Sequence, residues 1–234
     1  IRDKRNPIWW QTTVASAGNL TSAVYRIFGK PFSEEGKKLF GVPFAQFLKL
    51  NSEFRYHYRI DKNQMIASRI AGGVIWSYGN ATTAPYTEQF YIGGANSVRA
   101  FSARSIGPGG YPPETDRKYT YINHVGDIRI EANIEYRFRM IADLHGAVFL
   151  DAGNVWLMRK DENRPNGEFT LKNFPKQIAL GTGFGLRYDL DFLVFRLDLG
   201  IGLHDPYDTG KSGYYNIPKF KDSMALHFAI GYPF

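Results

Sequence analysis

Few side chains in this chain are of types and spacings that do covalent chemistry. It has no cysteine, which removes disulfide scaffolds, thiolate metal sites and cysteine nucleophiles together. Its five histidines are scattered, and none stands at a metal-ligand spacing from another. The run Gly181-Thr182-Gly183-Phe184-Gly185 has the glycines of a phosphate-cradling loop, but they share one face of a strand and no helical pattern follows. Asp205, Asp208 and Asp222 could attract Ca²⁺ in a loop, yet they read first as solvated turn residues. More informative is Arg99, the single cation in the run Gln89-Phe90-Tyr91-Ile92-Gly93-Gly94-Ala95-Asn96-Ser97-Val98-Arg99-Ala100-Phe101, with Gly107-Pro108-Gly109-Gly110 beyond it. So many Gly, Asn and Ser suggest a compact folded loop. Taken alone, Arg99 reads as a solvated loop cation.

The elements that must carry these residues are strands, because the chain alternates with period two over long segments. From Ile128 to Met140 the even positions are Ile128, Ile130, Ala132, Ile134, Tyr136, Phe138 and Met140. The odd positions are Arg129, Glu131, Asn133, Glu135, Arg137 and Arg139. One face is apolar and the other almost wholly charged. Leu48–Ile60, Leu193–His204 and Met224–Phe234 repeat the pattern. Ile66–Trp76, Leu144–Ala152 and Ile178–Leu190 carry weaker versions, and Ile8–Ala17 is a strand whose facing the pattern leaves open. Eight strands result, and the prolines fall outside them or at their ends, as ladder hydrogen bonding requires.

These runs reach lengths that cross a bilayer, longer than the five or six residues usual in a soluble sandwich. Their apolar faces carry aromatics near the ends, at Tyr58, Trp76, Tyr136, Tyr188 and Tyr232. An arginine on a lipid-facing surface costs ~2–4 kcal/mol at the bilayer midplane, so the faces bearing Arg55, Arg129, Arg137, Glu135 and Asp151 must look into a lumen. By the same parity His57, His145, His204 and His227 point inward. A lipid-facing hydrolase, which needs a His and a Ser together on the outer face, is therefore a poor fit.

Composition agrees with this architecture. Of 234 residues 16% are aromatic and 24 are glycine, as an all-β chain with many turns requires. The mean hydropathy of −0.33 reflects polar lumen faces and loops. The net charge of +7 is dispersed among acidic neighbours and makes a weak nucleic-acid footprint. The chain starts at Ile1 without an initiator Met or a signal segment, so a processed protein or part of a longer one is expected. Connections alternate long and short: Gly18–Pro43, Asp61–Gln64, Gly79–Gly126, Arg139–Asp143, Leu157–Lys176, Asp189–Phe192 and Asp205–Lys221. Outer-membrane barrels have short periplasmic turns and long outside loops, which places the C-terminus at the periplasmic rim.

At the long connection 79–126 the sequence resembles a known family, the BamA/TamA outer-membrane assembly factors or bacterial surface-antigen barrels. In that family an outside loop folds into the lumen and presents a Val-Arg-Gly-Phe/Tyr tip. Here the tip is Val98-Arg99-Ala100-Phe101, with Ala where the family has Gly. A second family mark, an inward Phe-x-Asp-x-Gly, is matched by Phe149, Asp151 and Gly153, and an inward Glu by Glu135. The resemblance implies that Arg99 pairs with Glu135 and Asp151 and locks the loop inside. The terminal strand, with Phe228, Ile230, Tyr232 and Phe234, is similar to the family's carboxy-terminal assembly signal. Gly231 lies where the family has a kinking glycine beside a lateral seam.

The resemblance covers roughly Pro43 to Phe234. It implies an antiparallel transmembrane β-barrel, with residues 1–234 forming the C-terminal part of one barrel domain and supplying eight of about sixteen strands. It implies no enzyme and no cofactor or metal. The function it implies is insertion or translocation of outer-membrane or secreted proteins through a weak lateral seam, in the outer membrane of a Gram-negative bacterium. Expected partners are outer-membrane lipids and lipopolysaccharide, unfolded protein substrates, and periplasmic domains or lipoprotein subunits, with no nucleic acid. The alternatives are a two-partner-type secretion pore, which shares the loop motif, and a simple porin.

Overall fold

The computed structural model describes residues 6–113 and 124–234; residues 114–123 of the long connection lie outside the described residues. Strand β1 spans Ile8–Ala17 and is followed by helix α1 (Asn19–Ile27) and a small hairpin of β2 (Lys38–Leu39) and β3 (Val42–Pro43). The long strands then follow: β4 (Phe47–Arg59), β5 (Gln64–Ser77), β6 (Ile128–Ile141), β7 (Leu144–Trp156), β8 (Ala179–Asp189), β9 (Val194–His204) and β10 (Met224–Ile230). Apart from the small hairpin, all strands form one antiparallel eight-stranded sheet in the order β1-β4-β5-β6-β7-β8-β9-β10. Each long strand pairs with its sequence neighbour, so register is set locally by the short turns at one end. Ala142, in the left-handed region (φ 47), makes the β6–β7 turn, and the Asp191 N–H donates to Asp189 Oδ1 at 3.0 Å in the β8–β9 turn.

The pleat sends the apolar residues outward, as the alternation requires. Outward hydroxyls find partners on that face: Thr182 Oγ1 donates to the Phe149 carbonyl at 2.8 Å and Ser68 Oγ to the Tyr56 carbonyl at 3.0 Å. The facing of β1 is now set by its register with β4. Trp9 is opposite Arg55, whose guanidinium lies 4.4 Å from the ring centroid, so the odd residues of β1 face inward and Trp10 and Val14 outward.

Four features depart from the sequence expectation. The connection 18–43 holds α1 and the β2–β3 hairpin. The helix is turned polar side in: Leu20 and Ile27 are 82% and 81% exposed, while buried Ser22 donates to Gln46 Oε1 at 2.9 Å. Strand β7 runs four residues past Ala152, because Trp156 is covered by Phe169 and Phe174 at 5.5 Å each and donates to Gln177 Oε1 at 2.9 Å.

Strand β10 stops at Ile230. Gly231 takes φ 81, a left-handed conformation, and turns the chain so that Tyr232 and Phe234 stand against inward-facing Arg137 rather than along the outer face. Finally, the inward face is not polar throughout. Toward the long-connection end, Phe47, Ile75, Val155 and Ala179 pack with Phe90, Ile92, Val98 and Ile106 of the long connection into an apolar core.

Candidate functional site

The long connection is a built structure. Phe90 and Gly126 exchange backbone hydrogen bonds at 2.9 Å, Gly94 N–H donates to the Phe101 carbonyl at 2.8 Å, and Arg104 N–H donates to the Ile92 carbonyl at 3.1 Å. These bonds close a tight tip at residues 94–101, with Val98 and Arg99 fully buried. Ala100 has no positive φ, so alanine at the family's glycine position requires no strained backbone.

The room for the tip comes from glycines on the facing strands. A Cβ at Gly200 of β9 would overlap the Arg99 carbonyl, and one at Gly181 of β8 would overlap Ala100 Cβ. Gly181, the first glycine of the run that fails as a nucleotide loop, thus forms with Gly200 the floor on which the tip lies, while Gly183 and Gly185 make room for Phe149 and for Asp198 and Arg187. His227 of β10 adds a tether, its Nε2–H donating to the Arg99 carbonyl at 2.9 Å.

Arg99 reaches across to β6 and β7. Its Nε donates to Asp151 Oδ2 at 2.8 Å, Nη2 to Asp151 Oδ1 at 2.9 Å, and its own backbone N–H to Asp151 Oδ2 at 3.1 Å. Its Nη1 is bonded to Glu135 Oε2. The guanidinium plane lies 3.5 Å from the Phe149 ring centroid, a cation–π contact in a desolvated place. Burial by itself would lower the pKa of Arg99. The hydrogen bond and charge of Asp151, and then Glu135, outweigh it and hold the group above the ordinary arginine value. A bidentate pair with further hydrogen bonds on both partners is the arrangement that makes a buried ion pair tolerable.

All members of the sequence-derived loop set therefore meet: Val98, Arg99, Ala100 and Phe101 on the loop, with Glu135, Phe149 and Asp151 around the guanidinium. Gly153 lies one step further along β7, where a Cβ would press within 3.2 Å of Ile92 Cδ1 of the loop. In the terminal set, Phe228 and Ile230 face outward. Tyr232 and Phe234 join the lumen through Arg137, whose guanidinium lies 4.5 Å and 5.5 Å from their ring centroids. Because Arg137 Nε also donates to Glu135 Oε1 at 2.7 Å, it links the two sets.

Sequence reasoning missed a second ring of charges. Arg187 Nη1 donates to Asp198 Oδ1 at 2.6 Å, and its Nη2 stands 3.2 Å from Glu135 Oε2 without hydrogen-bond alignment. Arg196 Nε is 3.4 Å from Asp198 Oδ2, and Asn133 Nδ2 donates to Asp151 Oδ1 at 2.8 Å and to the Ser97 carbonyl at 3.0 Å. Four guanidiniums (Arg99, Arg137, Arg187, Arg196) thus face three carboxylates (Glu135, Asp151, Asp198), all buried. Parity placed each of them inward, but it carries no information on which inward residues share one level. No group of three or more potential metal ligands occurs among the described residues.

Comparison with known proteins follows the same lines. A BamA outer membrane protein assembly factor from Nitratidesulfovibrio vulgaris is 28% identical over 204 residues, covering 85% of this chain and 22% of that protein. BamA of Neisseria meningitidis serogroup B is 29% identical over 89 residues, 36% of this chain and 11% of that protein. The chain spans about a fifth of the first relative's length. Among solved structures, BamA from Haemophilus ducreyi lacking POTRA domains 1-3 shares the fold with a TM-score of 0.54 at 16% identity, covering 79% of this chain and 35% of that one. The Omp85 superfamily domain matches residues 38–234, which include every strand of the sheet except β1, and the chain belongs to that superfamily.

Proposed function

We propose that this chain is the barrel part of an outer-membrane assembly or translocation factor, whose lumen-seated loop holds the barrel in a form that can accept substrate strands at a lateral seam. The observation that carries the reading is the Arg99 tie to Asp151 and Glu135, which joins the loop tip to two strands at once. A lumen filled by its own loop supports assembly work over a simple porin, which needs an open aqueous path. In this reading residues 1–234 supply the C-terminal strands of a barrel of about sixteen. The long connections lie outside the cell and the C-terminus faces the periplasm.

The seam is proposed at β10, a strand of seven residues with Gly231 directly after it. An open strand edge in lipid is costly because each N–H and C=O lacks a partner. A barrel whose last strand is short can lend that edge to an incoming strand by β-augmentation. Its partners are then unfolded outer-membrane or secreted proteins, membrane lipid and lipopolysaccharide, and periplasmic domains or lipoprotein subunits. The test uses the intact protein in liposomes with an unfolded barrel substrate. The reading predicts faster substrate folding than in empty liposomes, and equal rates would overturn it.

A further inference from the structure

Helix α1 and the tip of the β2–β3 hairpin have no part in the loop tie, and both turn apolar side chains away from the protein. Leu20, Val24 and Ile27 form a stripe at helical spacing along the exposed side of α1, with Phe28 beside its end. At the hairpin tip Phe40 is 97% exposed and takes φ 49, a left-handed conformation that is costly for a bulky residue. Gly41 follows at φ 82, and exposed Val42 comes next. Asparagine would make the same tight turn with less strain and no exposed ring, so an aromatic tip points to an apolar medium.

Hydrogen bonds hold the two pieces as one unit. Tyr25 Oη donates to the Lys38 carbonyl, and buried Lys37 donates through Nζ to Ser22 Oγ at 3.2 Å and to the Phe32 carbonyl at 2.6 Å. Asn80, just after β5, donates to the Lys37 and Phe44 carbonyls at 2.9 and 2.8 Å.

Strand register places this unit against the outer face. Ser16 of β1, Leu48 of β4 and Trp76 of β5 stand opposite one another in one outward row. Toward the long connections Gln46 and Tyr78 form the next outward row, joined by the Tyr78 N–H to the Gln46 carbonyl at 3.0 Å. The polar side of α1 lies on these rows. Asn19 Nδ2 donates to Ser16 Oγ at 2.6 Å, while Asn19 Oδ1 accepts from Tyr78 Oη at 2.8 Å and from Gln46 Nε2 at 3.1 Å. The apolar stripe of α1 therefore continues the outer surface of the sheet just beyond exposed Trp76, at the level where an aromatic belt marks the edge of the lipid.

We propose that α1 and the β2–β3 tip form an interfacial anchor, whose apolar side enters the headgroup–acyl boundary of the membrane on the long-connection side, with Ile27 and Phe40 among the lipid. A helix polar on one side and apolar on the other lies in this layer with its apolar face about 5–10 Å deep. The anchor rests on the barrel reading of the chain, and is independent of the Arg99 tie and of substrate assembly.

The test is fluorescence quenching. The chain has no cysteine, so Ile27→Cys and Phe40→Cys each add a single thiol to it for an environment-sensitive fluorophore, at exposed positions where a label disturbs no packing. Labelled intact protein is inserted into phosphatidylcholine vesicles and quenched by a phospholipid with a nitroxide near its headgroup, or by iodide in the water. Leu50→Cys, on the outer face of β4, reports insertion of the barrel, and Lys172→Cys, exposed in the β7–β8 connection, reports water. The unsubstituted protein gives the background. The nitroxide lipid should quench the labels at 27 and 40 about twofold or more over that at 172, and iodide should show the reverse order. If the lipid does not reach the label at 50, the barrel reading fails and the anchor with it. If it reaches 50 while 27 and 40 behave like 172, the anchor alone is overturned. Protection of 27 and 40 from both quenchers would mean that a second copy or another segment of the protein covers this face, which also overturns it.

Discussion

Arg99 Nε and Nη2 grip the two oxygens of Asp151 at 2.8 and 2.9 Å, so that a residue of the long connection is bound side-on to the middle of β7. The pair is fully buried and shares its site with Glu135. Removing the cation leaves the buried Asp151 with the Asn133 amide but no charge partner, while Glu135 keeps Arg137. Arg99→Ala should therefore cost about 3–5 kcal/mol and release the loop tip. Protease cleavage within 89–101 in the variant and protection in the wild type would show it. Arg99→Lys keeps the charge but loses the bidentate grip, and should recover only part of the protection.

The glycine floor makes a separate prediction. In Gly200→Ala the new Cβ would meet the Arg99 carbonyl and, at 2.7 Å, Ala100 Cα, and neither backbone atom can retreat cheaply. An overpacking penalty of about 1–3 kcal/mol and a more accessible loop are expected. Gly202→Ala is the control: its Cβ would find Ser223 Cβ at 3.4 Å, an ordinary contact, and should leave loop protection unchanged.

Gly231 is held by its conformation. An added Cβ there meets nothing within 4 Å, so any cost of Gly231→Ala comes from φ 81 alone, about 1–2 kcal/mol. Gly231→Asn should cost less, since asparagine tolerates the left-handed region. Urea unfolding in detergent measures both, and equal loss in the two variants would point to packing instead.

The register of β1 fixes its lipid face. Val14 points outward and is 65% exposed, whereas Thr13, opposite Asn51, points inward. Val14→Arg should cost about 2–4 kcal/mol if it lies near the bilayer midplane, and Thr13→Arg little. Membrane-inserted fractions of the two variants decide it, and the reverse order would mean that β1 is paired one residue out of register.

How much of this was legible in the sequence follows from what alternation encodes. A period of two separates inward from outward residues, so the strands, the lumen position of Glu135 and Asp151, and the long-short rhythm of the connections were all readable. Height along the barrel is not encoded. Nothing in the pattern says that Arg187, Arg196 and Asp198 stand level with Glu135, because that depends on strand stagger. The Gly181 and Gly200 positions were visible as inward glycines, but their purpose needs the loop to be in place. Parity was also misleading once the strand ended: it carried Tyr232 and Phe234 on to the outer face, whereas one positive φ at Gly231 turns both inward. Helix α1 was hidden in a connection because its apolar residues face out and its buried side is polar, the reverse of a globular helix.

The central claim is that the Arg99 tie keeps the loop in the lumen and that assembly work depends on it. The direct measurement compares wild-type and Asp151→Asn intact protein in liposomes, following the folding rate of an unfolded barrel substrate after each barrel has been shown to be inserted. Asparagine keeps the shape of Asp151 but removes its charge and one of its acceptor oxygens. The account predicts an inserted variant whose acceleration of substrate folding falls about tenfold or more. An inserted Asp151→Asn barrel that accelerates folding as well as the wild type would contradict it.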